Sequence, residues 1–107
     1  MGEQLSFDDA VRKEFERLAK LWHQETAFSS SMTVLMQNAS YQGIIKLGWP
    51  VVPILLNELV REPNWWFHAL REITGESPDV PEDAYGCLPK LTKIWLDWGR
   101  AKGINFE

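Results

Sequence analysis

The apolar positions of the chain fall mostly at helical spacing. Val11, Phe15, Leu18 and Trp22 recur at steps of four, three and four, with Arg12, Lys13, Glu16, Arg17 and Lys20 between them. That stripe predicts an amphipathic helix over residues 7–24. Ser6 would cap it, with Asp9 three positions on. A second stripe, Val52, Leu55, Leu56, Leu59 and Val60, follows Trp49-Pro50 and runs to Arg61. Proline suits the first turn of a helix, where its missing N–H has no partner to lose, and Pro53 lies at the limit of that allowance. Pro63-Asn64 breaks the pattern. Trp66, Phe67, Leu70 and Ile73 line a further helix that Gly75 stops, and Leu88, Leu91, Ile94, Trp95 and Trp98 line a last one before Gly103.

The middle of the chain is less periodic. Ser29-Ser30-Ser31 reads as a loop or a cap. Met32–Met36 fits a short helix or simple apolar packing, and a strand over Thr33-Val34-Leu35 would have no second strand to pair with. Ser40 is a candidate cap for a short helix from Tyr41 to Leu47, ending at Gly48. Residues 76–86 form one long loop with four acids, two prolines and no base. The expected architecture is therefore an all-α compact bundle of four to six helices, in a single helical domain spanning residues 1–107.

Composition narrows the classes. The chain has 107 residues, 45% hydrophobic and 24% charged, an ordinary globular balance that argues against disorder. No apolar run is long enough for a transmembrane helix. The acidic N-terminus lacks the layout of a signal peptide. Cys87 is the sole cysteine, so one chain offers neither a disulfide nor a cysteine-based zinc site. These features together suggest the cytoplasm. A net charge of −4 disfavours general nucleic-acid binding, which needs a positive face.

Two resemblances enter on particular residues. Gly48-Trp-Pro-Val-Val-Pro-Ile-Leu-Leu-Asn-Glu-Leu, followed by Trp66-Phe-His-Ala-Leu-Arg-Glu-Ile-Thr-Gly75, resembles one HEAT-like helical hairpin over residues 48–75. No second copy of the pattern occurs, so the resemblance implies a hairpin closed by flanking helices and not a solenoid. Ser29-Ser-Ser-Met, Tyr41-Gln-Gly-Ile-Ile, Trp66-Phe-x-Ala-Leu-Arg-Glu-Ile-Thr-Gly-Glu and Trp95-Leu-x-Trp-Gly resemble a small bacterial family of helical proteins without an assigned activity. That resemblance implies a second small protein encoded beside this one, hence a two-protein pair.

Chemistry is sparsely signalled. His23 and Glu25 lie near the end of the first helix. His68 and Glu72 are four apart, but no pair shows a metal-ligand motif. No Gly-x-Ser-x-Gly elbow accompanies the serines. Cys87 precedes a helix without a base nearby in sequence, and a small buried thiol is the simpler expectation. No phosphate-binding glycine motif and no calcium loop occurs, so no metal or cofactor is expected.

The six tryptophans are the most informative feature. Trp65, Trp66, Phe67, Trp95 and Trp98 come from the last two long helices. Such rings fill a small core, or remain outside as anchors for a partner. Trp65 and Trp98 are the candidates for exposure. The last helix carries Lys90, Lys93, Arg100 and Lys102 against Asp97 alone, directly after the acidic loop.

The leading expectation is a non-enzymatic protein-interaction module, such as the antitoxin, immunity or regulatory member of a pair. Trp65, Trp95, Trp98, Lys90, Lys93 and Arg100 would form its surface for another small bacterial protein or for self-association. The alternative is a small hydrolase or nuclease using His23, His68 and Glu72. A third, single-stranded nucleic-acid binding, would use the tryptophans with the lysines.

Overall fold

The computed structural model describes residues 7–29 and 31–106; the expected cap at Ser6, and Ser30 of the serine cluster, lie outside them. The protein is all-α. Six helices occur among the described residues: α1 (Phe7–Glu25), α2 (Met32–Gln37), α3 (Ala39–Lys46), α4 (Val52–Arg61), α5 (Phe67–Thr74) and α6 (Leu88–Ala101). Short 3-10 turns occupy Trp49–Val51 and Glu82–Ala84. The chain gathers into two compact units, one ending at Val51 and the other beginning at Val52.

In the first unit α1 packs on α3. The whole α1 stripe, Val11, Phe15, Leu18 and Trp22, is buried, as are Tyr41 and Ile44 of α3. Gly43 sits where the two helices approach closely: a Cβ there would lie 3.3 Å from Leu18 Cδ1. Trp22 stacks at a tilt on Tyr41, ring centroids 5.3 Å apart. Its indole Nε1–H donates to the Leu35 carbonyl at 2.8 Å, which ties α2 to α1.

The cap of α3 differs from expectation. Asn38, not Ser40, is the N-cap, and its side chain accepts from the N–H groups of Ser40 and Tyr41 at 2.8 and 3.2 Å. Ser40 is buried inside the helix and donates to Glu25 Oε1 at 3.0 Å. Asparagine and serine cap about equally well. Here the serine's distant acceptor on α1 takes it out of the contest. The segment Met32–Gln37 is a helix and not a strand, capped by Ser31.

In the second unit α4 and α5 pack together, and α6 packs on both. The 3-10 turn over Trp49–Val51 absorbs Pro50, so Pro53 falls in the first turn of α4, where no N–H is required. Trp66 stands one residue before α5 as its N-cap, and Gly75 ends that helix at φ 71°. Val52, Ile54, Leu55, Leu56 and Leu59 are buried, with Trp66, Ala69, Leu70, Trp95 and Phe106. Gly99 of α6 marks the tightest approach. A Cβ there would stand 2.8 Å from Leu56 Cδ1 and 3.0 Å from Phe106 Cε2. The chain end is folded back, since Asn57 Nδ2 donates to the Phe106 carbonyl at 2.7 Å.

Candidate functional site

The second unit carries an apolar groove of about 520 Å³ along α6. Leu59, Val60 and Pro63 form one wall, from the end of α4 and the residues just beyond it. Leu88, Pro89, Thr92, Leu96 and Arg100 form the other. The α6 residues recur at one and four, then at every fourth position, so they make one strip of a single helix face. From Leu88 to Arg100 that strip is about 18 Å long, at 1.5 Å per residue. Val60 is exposed on its rim.

Two polar residues interrupt this lining. Arg100 supplies its only charge. Its guanidinium lies 5.6 Å from the centre of the Phe106 ring, within cation–π range. Arg100 Nη1 donates to Asp97 Oδ1 at 3.3 Å, while Lys93 Nζ donates to Asp97 Oδ2 at 2.8 Å. Two cations thus share one carboxylate, and that bonding, Lys93's foremost, holds the Asp97 carboxyl below its usual range. Thr92 is the other polar residue. It is 7% exposed, and its hydroxyl is buried without a hydrogen-bond partner.

The residues expected to form a surface divide between inside and outside. Trp98 is buried, at 9% exposure, which corrects its expected exposure. It meets the buried Trp95 edge-on at 5.1 Å, and its Nε1–H donates to Glu76 Oε1 at 3.2 Å. Spacing of three on an inward stripe buries both rings, and the indole N–H found an acceptor in the loop. Trp65 is half-buried and edge-on to Phe67 at 5.8 Å. Arg100 lines the groove. Lys93, although exposed, is bound to Asp97, and Lys90 bonds Asp83 at 2.8 Å.

Much of the opposition between acidic loop and basic helix is resolved internally. Glu76 Oε1 accepts from Lys102 Nζ at 2.8 Å as well as from Trp98, and Asp83 takes Lys90. The Lys102 contact, then the Trp98 bond, keeps the Glu76 carboxyl below its ordinary value. The loop is therefore fastened to α6 near both of its ends.

Sequence reasoning missed Leu96, Val60 and Thr92 as lining residues, because it weighed the tryptophans and the basic residues of the last helix, of which Arg100 alone lines the groove. It also missed Trp49, which is half-exposed at the turn before α4. A signal was present: Trp49 stands between Gly48 and Pro50, outside every helical stripe. Cys87 is partly exposed and not a buried thiol, at the N-cap of α6.

His23 belongs to the first unit and lies beside the Trp22 ring, centroids 5.0 Å apart. His68 and Glu72 lie on α5 in the second. Among the described residues no group of three or more His, Cys, Asp or Glu side chains could hold a metal ion. No single described helix is long and apolar enough to cross a membrane. Comparison with family models, curated proteins and solved structures finds no match to the chain.

Proposed function

We propose that this chain is a non-enzymatic protein-interaction module whose groove along α6 receives an amphipathic helix of a partner protein. The groove is the observation that carries the reading. It is open and apolar, and its length suits about three turns of helix laid along it. Leu59 and Val60 on one wall and Leu88 and Leu96 on the other offer the apolar lining such a helix needs.

Charge selects the partner's chemistry. Arg100 stands in the lining, and both it and Lys93 bond Asp97 at the edge of the groove. An acidic residue on the edge of the incoming helix would meet the Lys93 and Arg100 side chains and fix its orientation. Burial of the partner's apolar face would supply most of the affinity. In a two-protein pair this chain would be the neutralising or regulatory member.

The test starts with a photocrosslinking residue at position 60. The captured peptide is expected to be an amphipathic helix with an acid near its crosslinked residue. Leu96→Asp should abolish capture. Arg100→Glu should weaken binding about tenfold, some 1.4 kcal/mol, and a lysine in place of the partner's acid should restore it. Capture of a peptide without an apolar face, or failure of the charge exchange to restore binding, would overturn the reading.

A further inference from the structure

The unbonded hydroxyl in the groove carries an inference about what the partner brings to it. Thr92 stands within the α6 strip, one turn from Leu88 and one turn from Leu96, in a lining whose only charge is Arg100. It is 7% exposed, and no group bonds its Oγ1. Thr26 and Thr74 satisfy their hydroxyls locally: each donates to the carbonyl four residues back, of Trp22 and Leu70, at 2.6 and 2.8 Å. Thr92 makes no such bond to Leu88. Buried polar groups are nearly always bonded, so an exception asks for a cause. The fold offers none, since a valine would fill the same shape with no polar atom to satisfy. Departures of this kind gather at functional sites, where stability yields to binding.

We infer that Thr92 is the groove's specificity-determining residue, and that the partner helix sets an asparagine or glutamine amide against its hydroxyl. The inference rests on the groove's receiving such a helix. Oγ1 is covered, but threonine divides between two χ1 wells in a helix, and a turn of one well moves the hydroxyl without moving the backbone. A hydroxyl both donates and accepts, and an amide side chain offers both partners at once. A charged group would serve less well, because its desolvation among Val60, Leu88 and Leu96 costs far more. A helix with an amide at this point gains a bond that a purely apolar face does not. The register follows. Thr92 and Arg100 lie about 12 Å apart along α6, so the amide and the acid that meets Arg100 fall about seven or eight residues apart on the partner.

Selection from a phage-displayed library of amphipathic helical peptides, run in parallel on the wild-type chain and on Thr92→Val, tests this. Wild type should enrich asparagine or glutamine at one position within the apolar face, with an acid about seven or eight residues away. Thr92→Val should enrich an aliphatic residue at that position. Peptides selected on wild type should bind Thr92→Val about tenfold more weakly, and Thr92→Ser within about twofold of wild type. Thr92→Val should meanwhile be the more stable protein in urea, so binding and stability move in opposite directions, which a merely structural threonine would not allow. The same residue selected on both proteins, or equal affinity for Thr92→Val, overturns the inference; the hydroxyl then turns back onto the Leu88 carbonyl, in the manner of Thr26 and Thr74. Leu96→Asp separates this inference from the groove itself. If it abolishes peptide binding while Thr92→Val does not weaken it, the groove stands and the inference alone falls. Peptides that bind Leu96→Asp unimpaired, or the selection of none, overturn both.

Discussion

Thr92 is the residue at which local chemistry and packing disagree most openly. A buried hydroxyl without a partner costs on the order of 1–3 kcal/mol in lost solvation. Thr92→Val keeps the shape and removes the group. It should stabilise the fold by about 1 kcal/mol, read as a rise in the urea midpoint at unchanged slope. A fall would show that the hydroxyl is satisfied in solution. Gly99 shows the opposite constraint, a close approach in which any added side chain would force its neighbours to shift. Gly99→Val would drive atoms into Leu56 and Phe106, both buried. The expected loss is about 2 kcal/mol by chemical denaturation, larger than the modest helix-propensity effect of the exchange. Neither residue could be singled out from the sequence. A threonine on an amphipathic helix reads as a boundary position, and a glycine near a helix end reads as a weak stop. Only the neighbours, distant in sequence, decide otherwise.

Elements were far more legible than their contacts. The α1 stripe, Val11 to Trp22, is buried throughout, because a helix with one continuous apolar face has one way to hide it. The α4 stripe was read with equal success as far as Leu59, and Val60 then turned outward to the rim of the groove. Periodicity reports a face and not what covers it. On α6 the inward stripe included Trp98, and the charged residues beside it concealed how closely the acidic loop is bound. That loop supplies a pH prediction. Glu76 ionises more readily in the fold than in the unfolded chain, first through Lys102 and then through the Trp98 N–H. Its contribution is thus present above the ordinary glutamate value near 4.5 and fades as pH falls through the lowered folded value. Wild type and Glu76→Gln should differ in urea midpoint at pH 7, with the wild type more stable. The two curves should converge in acid, once the carboxyl is protonated in the fold as well as in the unfolded chain. A gap that does not narrow as the pH falls would assign the effect to something other than ionisation.

For the whole molecule, helical class was readable and surface was not. Helix periods and glycine stops establish the class from one chain. Which apolar residues stay outside depends on how many faces compete for a limited core. Trp95 and Trp98 were admitted, whereas Phe28, Met32, Val34 and Val60 were not. The protein thus offers two apolar surfaces of different character. One is the groove along α6, with Arg100 in its lining. The other comprises Phe28, Met32 and Val34 of the first unit, exposed in and just before α2.

The two fastenings of the acidic loop carry a practical consequence for anyone who wishes to enlarge this protein. Glu76 and Asp83 hold the loop at points outside its middle, so Asp79 and Val80 lie on a span whose ends are already secured. Lengthening such a span is cheap, since each doubling of a flexible loop costs only about 0.6 kcal/mol. A foreign peptide spliced between Asp79 and Val80 would be carried as cargo on a handle, with both grips still closed on α6.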